Sequence, residues 1–130
     1  MNPQDRDQRV MEVRLLEEQI NQLEQQIAIV DKRIIETQII QASLDDIKKI
    51  KKNDVFVPVG RDIFVESSIE SAEKVLVNVG AGVFIKKGIE DAKKTIGNQN
   101  QKLFDLRKEV INEINRVFIR ITEIEKEFVQ

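Results

Sequence analysis

From Val55 to Gly88 the chain reads VFVPVGRDIFVESSIESAEKVLVNVGAGVFIKKG, the only part of it rich in β-branched and aromatic residues and broken by glycine. Val55, Val57 and Val59 alternate with Phe56 and Pro58, Gly60-Arg61 offers a turn, and Ile63, Phe64 and Val65 resume, which predicts a hairpin over 54–66. Pro58 has no N–H for a ladder, so its strand belongs at an edge or an unpaired position. Ser67 to Lys74 is a polar connector. A second hairpin is expected over 74–87, with Val75, Val77, Val79, Val83 and Ile85 inward and Asn78 and Lys86 outward. Its turn is Gly80-Ala81-Gly82, whose glycines admit positive φ. Isolated hairpins cannot bury their faces or pair their outer edges, so this centre is expected to be an assembly surface completed by other subunits.

Working outward, both flanks are helical in pattern. Val13, Leu16, Ile20, Leu23, Ile27, Val30 and Ile34 alternate spacings of three and four, the a/d repeat of a coiled coil. Beyond Ile34 that register places Thr37 and Gln41 on the seam, whereas Ile39, Ile40, Leu44, Ile47 and Ile50 suggest a shifted stripe. A stutter is therefore expected near Thr37. No proline or glycine interrupts the segment, and a helix over about 5–50 would run on the order of 65–70 Å at about 1.5 Å per residue. Lys48, Lys49, Lys51 and Lys52 crowd its last turns, where cations suit the negative end of the helix dipole.

On the other side, Glu90 and Asp91 open a helix expected over 89–128. Its stripe runs through Ile89, Ala92, Ile96, Leu103, Leu106 and Val110 into Ile114, Val117, Ile121, Ile124 and Phe128, with Asn100 and Arg107 as polar seam positions that set register. The two helices should pack antiparallel, bringing the chain ends together at a tip. There Val10, Met11, Leu15, Ile111, Phe118 and Ile119 fall off the seam. A two-helix rod has no third layer to cover them, so they are expected as exposed apolar binding surface; a third helix from another chain, or fraying, is the other reading.

Composition narrows the function classes. The 130 residues hold 34% charged and 41% hydrophobic residues, a balance that suits long helices. Lys plus Arg number 21 against 23 Asp plus Glu, so no bulk attraction to nucleic acid or anionic lipid is built in. Cys, His, Trp and Tyr are absent, which removes thiolate and imidazole catalysis, disulfides and most transition-metal chemistry. Asp45-Asp46 and Glu17-Glu18 are sequence neighbours on a helix and point in different directions, poor geometry for acid/base work. Gly80-Ala81-Gly82 lacks the third glycine and following helix of a dinucleotide loop, and Lys86-Lys87-Gly88 lacks P-loop order. The Lys86, Lys87, Lys93 and Lys94 group has no interleaved aromatics for base stacking. No apolar run has the length of a membrane span or the character of a signal peptide. The expectation is an intracellular, cytoplasmic protein that is not an enzyme, with no cofactor, no metal, no nucleic acid and no membrane among its partners.

VFVPVG (Val55 to Gly60), EKVLVNVGAGVFIKK (Glu73 to Lys87) and EDA (Glu90 to Ala92), set between heptad arms, resemble the alpha-type subunit of archaeal-like prefoldin. Two hairpins favour the alpha type, since beta-type subunits have one. Gly60-Arg61-Asp62 departs from the smaller turn common in alpha-type relatives. The resemblance implies an α+β fold over 1–130 as a single prefoldin-like domain: a long antiparallel two-helix coiled coil flanking two central β-hairpins that join an oligomeric β-barrel. It implies an ATP-independent chaperone subunit, a holdase that captures non-native polypeptides at the coiled-coil tips and passes them to a chaperonin. Beta-type subunits in a hetero-hexamer, or further copies in self-assembly, are its implied partners. Carried onto this chain, client binding falls to Val10, Met11, Leu15, Phe118, Ile119, Phe128 and Val129, and oligomerisation to Val57, Val59, Ile63, Val65, Val75, Val77, Val79, Val83 and Ile85. The competing reading is a coiled-coil structural spacer or adaptor with an oligomerising β centre.

Overall fold

The structure is a computed structural model describing residues 1–50 and 53–129, with Asn53 described by its backbone alone. The elements are α1 (Pro3–Lys48), β1 (Asn53–Gly60), β2 (Ile63–Ile69), β3 (Lys74–Gly80), β4 (Val83–Gly88) and α2 (Ile89–Val129). Two compact units divide the chain: Met1–Ile35 with Gln101–Gln130, and Glu36–Asn100.

In the first unit the ends of α1 and α2 pair antiparallel. Asn2 caps α1, its Oδ1 accepting the Asp5 N–H at 2.8 Å, and Pro3 sits at the first helical position where its missing N–H costs nothing. This cap starts the helix ahead of the expected residue 5. Ile20, Val117 and Ile121 form a buried cluster, with Val13, Leu16 and Leu23 packed against it. Ile124 is fully buried, and Val30 and Val110 are buried farther along the same seam. The expected three-four stripes are therefore the observed interface. Asp31 accepts the Arg107 Nε–H at 2.7 Å, so the cation on the seam is neutralised by the facing helix.

In the second unit the original register holds through Leu44 rather than shifting near Thr37, and beyond it Ile47 and Ile50 of the expected shifted stripe are half-buried while Lys48 is exposed. Thr37 and Leu44 are buried and Gln41 is half-buried, whereas Ile39 and Ile40 are exposed. The physical reason is pairing. The Thr37 hydroxyl donates to Asn100 Oδ1 at 2.9 Å, satisfying both polar groups between the helices. Opposite Gln41 stands Gly97, where an added Cβ would lie 3.4 Å from Gln41 Nε2. Hydrophobicity alone favoured Ile39 and Ile40 for the seam; a matched polar pair and a glycine keep Thr37 and Gln41 there instead.

Near the hairpins, Lys93 pairs with Asp45 at 2.6 Å and Lys48 with Glu90. The last turn of α1 tightens, with Lys49 N–H bonding Asp46 O at 3.1 Å and Ile50 N–H bonding Ile47 O at 3.0 Å. Of the expected basic run, Lys51 and Lys52 lie outside the described residues. The Ile89 N–H donates to Glu73 O at 3.1 Å, tying the start of β3 to the start of α2.

β1 pairs antiparallel with β2 and β3 with β4, each as a separate two-stranded sheet, so each of these strands has a free edge. β2 runs through Ser67 and Ser68 to Ile69, longer than expected, because both serines pair across to β1. Both ladders slip next to the turn, between Pro58 and Gly60 and between Asn78 and Gly80, leaving Val59 and Val79 as bulges. The turns differ. Ala81 and Gly82 both have positive φ, 51° and 72°, as a tight type I′ connection requires, and Gly80 before them is at 119°. In the first hairpin only Asp62 has positive φ, 64°. The turn is thus centred on Arg61-Asp62 rather than on Gly60-Arg61, because aspartate tolerates the left-handed region and so removes the need for glycine there.

Candidate functional site

The first unit carries apolar side chains that its two helices cannot cover. Met11 and Leu15 on α1, and Phe118 and Ile119 on α2, are exposed, Leu15 to 63%. Val10 and Val129 are exposed too. These residues flank the seam because the seam takes only every third or fourth position and each helix holds more apolar residues than that. Phe118 borders a groove with Glu17, Ile20, Asn21, Ile121 and Thr122, so an apolar ring stands beside a polar rim. Phe128 differs from the expectation of an open binding residue: it is half-buried, with the Arg6 guanidinium 5.9 Å from its ring centroid.

Ion pairs bracket this surface and hold the two helices in register. Arg120 binds Glu12 at 2.9 Å, and Arg9 reaches both Glu12 at 2.9 Å and Glu127 at 2.8 Å. The hydrogen bond from Arg120 holds the Glu12 carboxyl below its ordinary range, and Glu12 in turn raises Arg120. Farther along, Ile29, Leu103 and Leu106 border a second groove with Val30, Arg33 and Val110. Leu106 lies off the seam and exposed, where the sequence stripe had placed it inside.

The hairpins form the other surface. Of the expected assembly residues, Val57, Val59, Ile63, Val65, Val79, Val83 and Ile85 are exposed. Val75 and Val77 instead pack on Leu44, Ala92 and Ile96 of the same chain. Alternation along the strands explains this, since one face of the second hairpin rests on its own helices. The opposite faces carry large apolar side chains that the expected assembly residues did not include: Phe56 and Phe64 on the first hairpin, Leu76 and Phe84 on the second, all exposed. The signal for them was available in the sequence, as both faces of each strand are apolar. A strand covered on one face and wet on the other would alternate apolar with polar residues.

Among the described residues no group of His, Cys, Asp and Glu is arranged to hold a metal ion, and no helix is long and apolar enough to cross a membrane. The carboxylates with lowered proton affinity, Glu12, Asp45 and Glu90, each owe it first to a hydrogen bond from a cation on the facing helix: Arg120, Lys93 and Lys48. These are structural ion pairs.

The order of a long helix, two hairpins and a second long helix is shared with known proteins. The family profile described as Prefoldin subunit matches residues 16–130. The chain belongs to the prefoldin family. Its fold is similar to that in the cryo-EM structure of filamentous PFD from Methanocaldococcus jannaschii, with a TM-score of 0.81 and 29% identity over 88% of this chain and 96% of that one. No curated protein matches the chain. Prefoldin subunits are chaperone components, and two hairpins between two coiled-coil helices are the architecture seen here.

Proposed function

We propose that this prefoldin subunit is of the alpha type and acts as an ATP-independent holdase, capturing non-native polypeptides on the apolar residues of its coiled-coil ends. The observation that carries the reading is the exposure of Met11, Leu15, Phe118 and Ile119 on a two-helix unit whose own seam is already filled. Unfolded chains differ from folded ones in exposing apolar side chains irrespective of sequence. A surface of Leu, Ile, Met and Phe edged by charge matches that common property, and methionine adapts its shape to varied partners. Val10, Phe128 and Val129 belong to the same surface, Phe128 contributing once Arg6 moves off its ring.

The hairpins supply assembly. Val57, Val59, Ile63, Val65, Val79, Val83 and Ile85 form the strand faces and edges that join beta-type subunits, in a hetero-hexamer with a β-barrel body, or further copies of this chain, while Val75 and Val77 seat the second hairpin on its own helices. The filamentous archaeal relative supports a capacity for self-assembly. Several coiled coils raised on one body would hold a client at more than one point, and binding would multiply by effective concentration. Transfer of the client to a chaperonin, in the cytoplasm, completes the proposed role.

The test is suppression of aggregation of a chemically denatured client by the assembled protein. The variant Met11→Ser/Leu15→Ser/Phe118→Ser/Ile119→Ser should keep its helical circular dichroism and lose most protection. Full protection by that variant would remove the capture surface. Binding to one folded partner without protection of diverse clients would favour a spacer instead.

A further inference from the structure

In the first unit, one flank of the helix pair carries two regular rows beside the seam. On α2, Phe104, Ile111 and Phe118 each follow a seam residue, Leu103, Val110 and Val117, and so recur every seven positions. On α1, Glu17, Glu24 and Asp31 follow Leu16, Leu23 and Val30 in the same way. Equivalent heptad positions of an antiparallel pair border the same flank. Contacts at both ends of the rows agree. Glu17 and Phe118 line one groove with Asn21, Thr122 and Glu125, and Asp31 accepts the Nε–H of Arg107, which lies between Phe104 and Ile111, at 2.7 Å.

Neither row is satisfied within the chain. Phe104 is 43% and Phe118 50% exposed, with Ile111 half-buried between them. Asp31 is taken by Arg107, but among the described residues no ion pair engages Glu17, Glu24 or Glu125. The cations of this flank, Arg14 and Lys108, follow Val13 and Arg107 and so stand on its outer margins, leaving the carboxylates beside the groove. The groove on the other flank has a different rim, Gln26 and Arg33.

We infer that the flank of Phe104, Ile111 and Phe118 docks a third α-helix from a partner protein, one with an apolar residue every seven positions and lysine or arginine beside it. The repeat sets the conformation of the partner. A row of apolar side chains at heptad spacing is matched along its length by another helix of the same period, whereas an extended segment has a period of two and meets it only locally. At about 1.5 Å per residue the row is on the order of 21 Å long, room for about two heptads of contact. The unpaired carboxylates set the charge, because cations on the incoming helix would neutralise Glu17 and Glu24. A second copy presenting the same flank would bring those carboxylates against their duplicates, which opposes association. The inference shares only Phe118 with the proposed capture surface and does not depend on that reading.

The experiment measures binding of labelled three-heptad synthetic peptides to the full chain at low salt by fluorescence anisotropy. One peptide has leucine at the seam with lysine beside it, a second replaces each lysine by glutamate, and a third is the lysine peptide broken by a central proline. The lysine peptide should bind about tenfold tighter than either of the others, gain helical circular dichroism on binding, and weaken as salt rises. Glu17→Lys/Glu24→Lys, at exposed positions, should invert the preference in favour of the glutamate peptide. Phe104→Ser should weaken the lysine peptide several-fold while suppression of client aggregation is unchanged. Equal binding of the lysine and glutamate peptides, or a preference that survives the double substitution, would overturn the inference. Binding of the proline-broken peptide as tightly as the intact one would also overturn it, since the occupant would then be an extended segment. Selective peptide binding by a chain that protects no client would support it and count against the proposed function instead.

Discussion

In the unit formed by residues 1–35 and 101–130, Ile20, Val117, Ile121 and Ile124 are buried between the chain's own two helices, whereas on the hairpins Phe56, Val57, Phe64 and Leu76 stand exposed on both faces of two-stranded sheets. Both regions are comparably apolar, so hydrophobicity by itself does not decide which one is internally complete. Geometry does. Two helices can fully bury a stripe one residue in three or four wide by facing each other, while a hairpin has two faces and two edges and can cover at most one face against its own helices. The helical region is thereby expected to owe its stability to contacts within one chain, and the hairpins to contacts between chains.

The largest expected effect that tests this contrast is a cavity in the helical seam. Ile124→Ala should lower the unfolding free energy by about 2–5 kcal/mol, seen as a lower midpoint in thermal or urea melts of the isolated chain. A smaller change at the same site would mean that the seam is completed by another subunit. Next is the polar pair of the second unit: Asn100→Ala leaves the buried Thr37 without this hydrogen bond and should cost about 1–3 kcal/mol. Pairing it with Thr37→Val should recover much of that loss in the same melts.

On the hairpins the expected pattern inverts. Gly82→Ala has open space around it but places a side chain at φ +72°, a conformational cost of about 1–2 kcal/mol. That loss should appear chiefly as a lower assembled mass at low protein concentration, with the helical melt scarcely moved. An equal shift in both measurements would dissolve the distinction between the two regions.

The smallest effect is that of pH. Glu12, Asp45 and Glu90 have folded-state proton affinities below their ordinary values because Arg120, Lys93 and Lys48 donate hydrogen bonds to them. A carboxyl lowered in the folded state stabilises it above the unfolded pKa, and that contribution is lost as pH falls through the folded value. Helical stability should therefore be flat from neutrality down to about pH 5, then decline below the ordinary carboxylate range near pH 4. Glu12→Gln should shrink the decline. All three groups are exposed, so added salt should shrink it too.

Several features were legible from residue order alone. The three-four spacing from Val13 to Ile34 and from Val110 to Phe128 placed the helical seam, because burial between two helices demands that period. Glycines at 80 and 82 placed the second turn through the positive φ they allow. The apolar positions beside the seam, Met11, Leu15, Phe118 and Ile119, followed from the same counting.

Other features needed the chain folded. That Thr37 and Gln41 keep the seam while Ile39 and Ile40 face outward depends on Asn100 and Gly97, partners distant in sequence that no local period reveals. The first turn sits on Arg61-Asp62 because the ladder slips at Val59, a register property of two strands rather than of either one. Phe128 lies half-covered because Arg6, from the opposite end of the chain, reaches its ring. Local order determined which residues are apolar and at what period. Only tertiary structure decided which of them another part of the same chain could reach, since burial depends on a partner surface and sequence spacing describes one surface at a time.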